Sequence, residues 1–130
     1  MAATYLDSSA LVKLIVEEPE SAALRRYLRR RRPLVSSALA RTEVVRAVLL
    51  EGDDGVARAR EVLSIVDLIR VNDRVLGAAG VLQPSDVRSL DAIHLATALQ
   101  LGSDLGWLVT YDERMREAAD TLGLPSHAPR

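Results

Sequence analysis

Apolar positions along this chain recur with a period of about two, then of about 3.6, and the pattern switches between the two several times. Thr4, Tyr5 and Leu6 form a short apolar run that reads as a buried strand. Residues 8–16 follow with helical spacing, and Asp7 or Ser8 stands where an N-cap belongs. Pro19 opens a second helix in the position proline tolerates best. Its apolar stripe is Ala23, Leu24, Tyr27 and Leu28, and arginines fill the rest of its surface. Pro33 stops that helix, and Leu34, Val35 and Ser36 make a second strand. Residues 38–50 read as a third helix, closed by Gly52, and the 3-4-3 spacing of Val56, Ala59, Leu63 and Val66 gives a fourth. Residues 67–71 look like a third strand, and residues 73–82 like a fifth helix ending before Pro84. Ser89 is placed to cap a long apolar helix over residues 90–101. Residues 107–110 are the last clear strand, and residues 113–122 the last helix, stopped by Gly123.

Strands alternating with helices imply an α/β domain built on a short, mostly parallel sheet. Four to five strands and about seven helices, on both faces of the sheet, account for the pattern. In open sheets of this kind ligands bind outside the carboxyl ends of the strands. Asp7 and Asp112 both fall at such ends.

Residues 1–130 make a single domain, long enough for a hydrophobic core without staples. The 48% hydrophobic fraction argues against disorder. There is no cysteine, which rules out disulfides and thiolate zinc sites and fits a reducing cytoplasm. No apolar run approaches the roughly 20 residues that span a bilayer, so no membrane association is expected. The N-terminus lacks the basic region of a secretory signal. A net charge of −1 makes the molecule as a whole no electrostatic binder of nucleic acid. The charge is unevenly placed, however: six arginines fall within residues 25–32, and Glu17, Glu18 and Glu20 cluster just before them.

Four carboxylates carry the candidate chemistry. Asp7 and Asp112 end apolar runs, while Glu43 and Asp91 lie on largely apolar helices. Each has a bland reading. Asp7 and Asp112 serve as N-caps, Glu43 pairs with Arg46 one turn on, and Asp91 favours the first turn of its helix through the dipole. Leu39, Glu43, Ala47 and Leu50 share one face of the third helix at about 3.6 residues per turn. Taken together, four acids in apolar settings without matching buried bases suggest a divalent-cation site. Carboxylates alone select hard cations such as Mg²⁺ or Mn²⁺, which keep water and leave room for phosphate oxygens. Such sites hydrolyse phosphodiesters with an activated water and need no nucleophilic side chain. His94 lies one turn beyond Asp91 and reads as a hydrogen-bonded packing residue outside the ligand set.

These segments together resemble the PIN-domain ribonucleases, and specifically the VapC-type toxins of bacterial toxin–antitoxin pairs. The resemblance covers almost the whole chain. It rests on residues 5–14 (YLDSSALVKL), on Thr42-Glu43-Val44, on residues 90–98 (LDAIHLATA) and on residues 109–115 (VTYDERM). It implies a single PIN domain, with Asp7, Glu43, Asp91 and Asp112 as the quartet that binds Mg²⁺ or Mn²⁺. Ser9 and Thr110 match small hydroxyl positions beside the first and last acids, where they would orient a carboxylate or a water. It further implies endonucleolytic RNA cleavage, a homodimer, and inhibition by a small VapB-type antitoxin whose C-terminal segment lies over the acidic pocket.

The arginines of residues 25–32 are open to two readings, a solvated helix face or a track for an RNA backbone. With Phe absent and only Tyr5, Tyr27, Tyr111 and Trp107 available, base stacking is expected to contribute little. Two other functions compete. A phosphoacceptor receiver domain wants a lysine near its last strands and paired acids after its first; Lys13 is the only lysine, and Asp7 is followed by two serines. A PIN-like module that has lost catalysis and only binds protein or RNA is the remaining alternative.

Overall fold

The stretch from Ala3 to Leu6 has no strongly polar side chain, so a strand formed there must be covered on both sides. In the computed structural model, which describes residues 2–130, it is β1 (Ala3–Leu6), buried at every position and central in the sheet. The other strands are β2 (Leu34–Ser37), β3 (Asp67–Ile69), β4 (Leu105–Val109) and β5 (Ser126–His127). Their order is β3-β2-β1-β4-β5, and every pairing is parallel. The chain builds outward from β1 in one direction through β2 and β3, then returns to the other side of β1 with β4. The topological switch therefore lies between β1 and β4, and a crevice opens there at the carboxyl ends.

Among the described residues seven α-helices cover the sheet: α1 (Ser8–Lys13), α2 (Ser21–Leu28), α3 (Ala40–Ala47), α4 (Gly52–Ser64), α5 (Asp73–Gly80), α6 (Ser89–Gln100) and α7 (Glu113–Thr121). Alternation along the strands divides the core in two. Leu6 and Val109 pack with Leu11, Leu24 and Val44 on one face, while Tyr5 and Leu108 pack with Leu95, Met115 and Ala119 on the other. A mostly parallel α/β sheet of four to five strands with seven helices on both faces is borne out.

Several boundaries differ from the pattern, each for a local reason. Helix α1 stops at Lys13 rather than residue 16, and α2 starts at Ser21 rather than at Pro19. The buried Ser21 hydroxyl donates to the Lys13 carbonyl at 2.6 Å and accepts from the Glu18 amide at 2.9 Å, tying both ends to itself. Arg29–Arg32 lie beyond the end of α2, so only Arg25 and Arg26 of the six sit on the helix. Helix α3 runs Ala40–Ala47, then tightens into a 3-10 turn at Leu49–Glu51 before Gly52 (φ 74°). Its buried face is Ala40, Val44 and Val48, while Leu50 is fully exposed. Glu43 therefore stands at the border of the buried face, with Ala47 and Leu50 in solvent. Ser89 is the first residue of α6 and caps nothing; Arg88 occupies the N-cap without a side-chain bond.

Strand β5 was not legible. Its two residues have no periodicity, but β4 needs its outer edge paired. Leu108 N–H donates to the Pro125 carbonyl at 2.8 Å and Thr110 N–H to the His127 carbonyl at 3.1 Å.

The two sides of this assignment separate in a stability measurement. Leu108→Ala, at a fully buried position, is expected to cost about 2–5 kcal/mol in denaturant unfolding. Leu50→Ala is expected to stay within about 0.5 kcal/mol. Comparable losses at both sites would contradict the core as drawn.

Candidate active site

Asp7 follows β1 directly and caps α1, its backbone extended (ψ 178°) and its Oδ1 accepting from the Ala10 amide at 3.0 Å. Only 3% of the residue is exposed, so a charge there must be satisfied by the protein. Two hydroxyls do most of this. Ser9 Oγ donates to Oδ1 at 2.6 Å, and Thr110 Oγ1 donates to Oδ2 at 2.5 Å. Each hydroxyl has one hydrogen, and both are spent on Asp7. As acceptors the same two oxygens take backbone amides of the facing turn: Tyr111 N–H to Ser9 Oγ at 3.0 Å, and Asp112 N–H to Thr110 Oγ1 at 3.1 Å. The turn after β1 and the turn after β4 are thereby knitted through one carboxylate. Burial pushes the Asp7 carboxyl above the usual carboxylate range, and the three hydrogen bonds only partly pull it back.

Asp112 caps α7, with Oδ1 accepting from the Arg114 and Met115 amides at 2.9 and 3.3 Å. Its Oδ2 takes no part in the cap.

Glu43 does not pair with Arg46. Its Oε1 accepts from Ser8 Oγ at 2.5 Å and contacts His94 Nε2 at 2.7 Å. His94 is almost wholly buried, and its Nδ1 lies 2.7 Å from the Tyr5 hydroxyl. Burial, and secondarily the Asp7 charge, push the Tyr5 phenol far above its ordinary range, so Tyr5 keeps its proton beside Nδ1. The imidazole thus bridges Tyr5 on its Nδ1 side and Glu43 on its Nε2 side. Burial works to raise Glu43, but the hydrogen bonds from His94 and Ser8 outweigh it and hold the carboxyl below its usual range. His94 is thus a packing residue and also the support of a candidate site residue. Neither it nor Ser8 was placed in the site from sequence. The signal available was the i+3 spacing of His94 from Asp91 and the direct succession of Ser8 on Asp7.

Asp91 lies in the first turn of α6, half-buried. Burial raises its pKa first, and the charges of Asp112, Asp7 and Glu43 raise it further, against an opposing effect of His94. Asp91 therefore feels all three other acids. The structure brings the four candidate residues into one electrostatic neighbourhood, with Ser9 and Thr110 bonded to the first of them.

The donor set suits a hard cation. Asp7 Oδ2 has one protein donor and a lone pair to spare; Asp112 Oδ2 and Glu43 Oε2 take no side-chain or capping bond; Asp91 has no hydrogen-bonded partner shifting it. Among the described residues, no group of three or more acid or histidine side chains is gathered closely enough to grip an ion directly. Mg²⁺ in particular retains water between itself and some ligands. Beside Asp91 and Asp112 a cleft of about 260 Å³ is bordered by Arg88 and Arg114. These two cations flank the acids at the N-terminal ends of α6 and α7, closer to the site than the arginines of residues 25–32, and sequence reasoning missed them.

Comparison with known proteins agrees with this architecture. The PIN domain family model matches residues 4–121. The chain is 63% identical to Ribonuclease VapC46 of Mycobacterium tuberculosis over 129 residues, covering 99% of each chain. Its fold is shared with M. tuberculosis VapC20, a sarcin–ricin-loop-cleaving toxin, at a TM-score of 0.76 and 16% identity, covering 97% of this chain and 99% of that one. It is also shared with a chain of a toxin–antitoxin complex from Klebsiella pneumoniae, at a TM-score of 0.73 and 22% identity, covering 98% of each.

The repulsion at Asp91 has a thermodynamic consequence. A carboxyl whose folded pKa is raised contributes stability that is fully present below the unfolded value, about 4, and is lost as pH rises through the folded value. Asp91→Asn in EDTA is therefore expected to melt higher than the parent at pH 7, with the difference closing as pH falls to about 4. A lower melting temperature at pH 7 would mean that the charge is held rather than repelled.

Proposed function

The chain belongs to the PIN-domain family, in its VapC branch, and from that membership we propose that it is the endoribonuclease toxin of a VapBC-type pair. The observation that carries the reading is the link from Asp7 through Thr110 to Asp112 across the switch between β1 and β4, with Asp91 sensing both of them and Glu43. Residues 1–130 act as one PIN unit, and the substrate is RNA. Asp7, Glu43, Asp91 and Asp112 would hold Mg²⁺, with Mn²⁺ as the alternative. The chemistry such an ion would supply is activation of a water and charge compensation on the leaving oxygen of the phosphodiester.

The protein's own part is positioning. Ser9 and Thr110 lock the Asp7 carboxylate in one orientation, and Ala10 N–H holds it from the helix side. Ser8 and His94 hold Oε1 of Glu43, leaving the other oxygen without a side-chain donor. Arg88 and Arg114 border the acids and supply the positive charge that lets a phosphate enter an otherwise repulsive cleft. No helix among the described residues is long and apolar enough to cross a membrane, and we place the protein in the cytoplasm. Its partners on this reading are a cognate VapB-type antitoxin and a second copy of the chain. The Klebsiella complex, of the same fold, supports the antitoxin.

The test is cleavage of total RNA by protein free of antitoxin, with Mg²⁺ or Mn²⁺ and with an EDTA control. Asp7→Ala and Asp91→Ala are expected to lose more activity than the about 10–100-fold typical of residues behind a ligand. Cleavage that survives in either variant, or in EDTA, would contradict the site. A wild-type protein that cuts no RNA would favour a binding module. In the same assay His94→Gln and Ser8→Ala, which leave the four acids in place, are expected to fall about 10–100-fold while remaining folded.

A further inference from the structure

The sheet edge closed by β5 carries rings and cations that the reaction does not use. Val109 stands opposite His127 in the ladder, and Trp107 lies two residues before Val109, so Trp107 and His127 share a face. Helix α2 lies over that face. The Tyr27 and His127 rings are 5.0 Å apart between centroids, and the His127 and Trp107 rings 5.8 Å. The Arg31 guanidinium sits 3.9 Å from the Tyr27 ring centroid and donates to the Tyr27 carbonyl at 2.9 Å. His127 is exposed and Trp107 is 40% exposed. Arg26 and Arg130 join Tyr27 and His127 in lining a shallow depression of about 560 Å³.

Most of the positive charge around these rings is not compensated. Glu17 takes Arg25 in a two-pronged pair at 2.9 and 3.0 Å. Among the described residues Arg26, Arg29, Arg30, Arg31 and Arg32 form no ion pair, all are exposed, and residues 23–33 contain no acid. A solvated face of this kind costs self-repulsion that a counter-ion or phosphate backbone would relieve.

The surface also runs into the acidic cleft. The His127 carbonyl accepts from Thr110 N–H, the Tyr111 hydroxyl donates to the Pro129 carbonyl at 2.7 Å, and Arg130 lies 3.7 Å from Glu113, the residue after Asp112. From the last acid of the quartet the path leads past Arg130 and His127 to Trp107, Tyr27 and Arg31.

Partly exposed rings among unpaired guanidiniums suit unpaired nucleotides: bases stack, phosphates meet arginine, and a duplex offers no free base faces. We propose that this β5-edge surface is a track for single-stranded RNA, holding nucleotides that flank the bond being cut. Trp107 and His127 provide the stacking faces, and Arg26 with the arginines after α2 receives the backbone. The inference rests on the ribonuclease reading and assigns the surface that holds the strand.

Trp107 is the only tryptophan, so its fluorescence reports on the surface itself. The full chain is titrated in EDTA, where nothing is cut, with an unpaired oligoribonucleotide and with a duplex of equal length. The single strand is expected to quench Trp107, and the duplex much less. Arg26→Ala/Arg30→Ala, both at exposed positions, should reduce the slope of log affinity against log salt by about 0.7 per arginine. With metal present the double variant should raise KM and leave kcat nearly unchanged, as loss of uniform binding does. Equal quenching by duplex and single strand, or none, would overturn the track. So would quenching by an acidic peptide but not by RNA, or a Trp107 shielded from acrylamide by a second copy of the chain. RNA cleavage with an unaltered KM in the double variant would remove the track and leave the ribonuclease intact. Selective quenching by single strands without cleavage would keep the track and remove the ribonuclease reading.

Discussion

A carboxylate buried at the end of the central strand is the constraint on which the carboxyl edge of this fold depends. Asp7 cannot be hydrated where it sits, so the protein must hydrogen-bond it. Ser9 and Thr110 do so by passing on the backbone donors of the opposite turn: each accepts an amide with one lone pair and gives its hydrogen to Asp7. The β1–α1 turn cannot shift without unseating the β4–α7 turn. Satisfying one charge thus fixes the geometry of Asp112 as well.

The parallel sheet makes this economical. Because β4 returns beside β1, the two turns emerge next to each other at the switch, and α3 and α6 deliver Glu43 and Asp91 to the same end. Burial first, and then repulsion from the other acids, raises the Asp91 carboxyl and works against the fold. The protein opposes it unevenly. Asp7 and Glu43 are held by hydroxyls and an imidazole, Asp112 by helix amides, and Asp91 by nothing comparable. A divalent cation is the natural counter-charge for such a set, and an arginine on each side of Asp91 and Asp112 offers phosphate a way in.

Much of this was legible in the chain. The alternation of strand and helix gave the parallel sheet, and the four acids stood out because each interrupted an apolar run. What escaped depended on tertiary contact. Helical periodicity placed Leu50 on the Glu43 face but could not show that the helix tightens after Ala47 and turns that residue into water. His94 looked like a packing residue because a sequence cannot show that its two ring nitrogens reach Tyr5 on one side and Glu43 on the other. Strand β5 exists for the sake of β4's free edge, a need that no two-residue pattern announces. Counting aromatics suggested little stacking. Two of the four, with His127, are nevertheless gathered at that edge.

The central claim is that Asp7, Glu43, Asp91 and Asp112 form one cation pocket. Mn²⁺ binding followed by electron paramagnetic resonance, in protein free of antitoxin, measures it without reference to any RNA. The account predicts that Asp7→Asn, Glu43→Gln, Asp91→Asn and Asp112→Asn each weaken the same binding event in a folded protein. Mn²⁺ binding unchanged in two or more of these variants would contradict it.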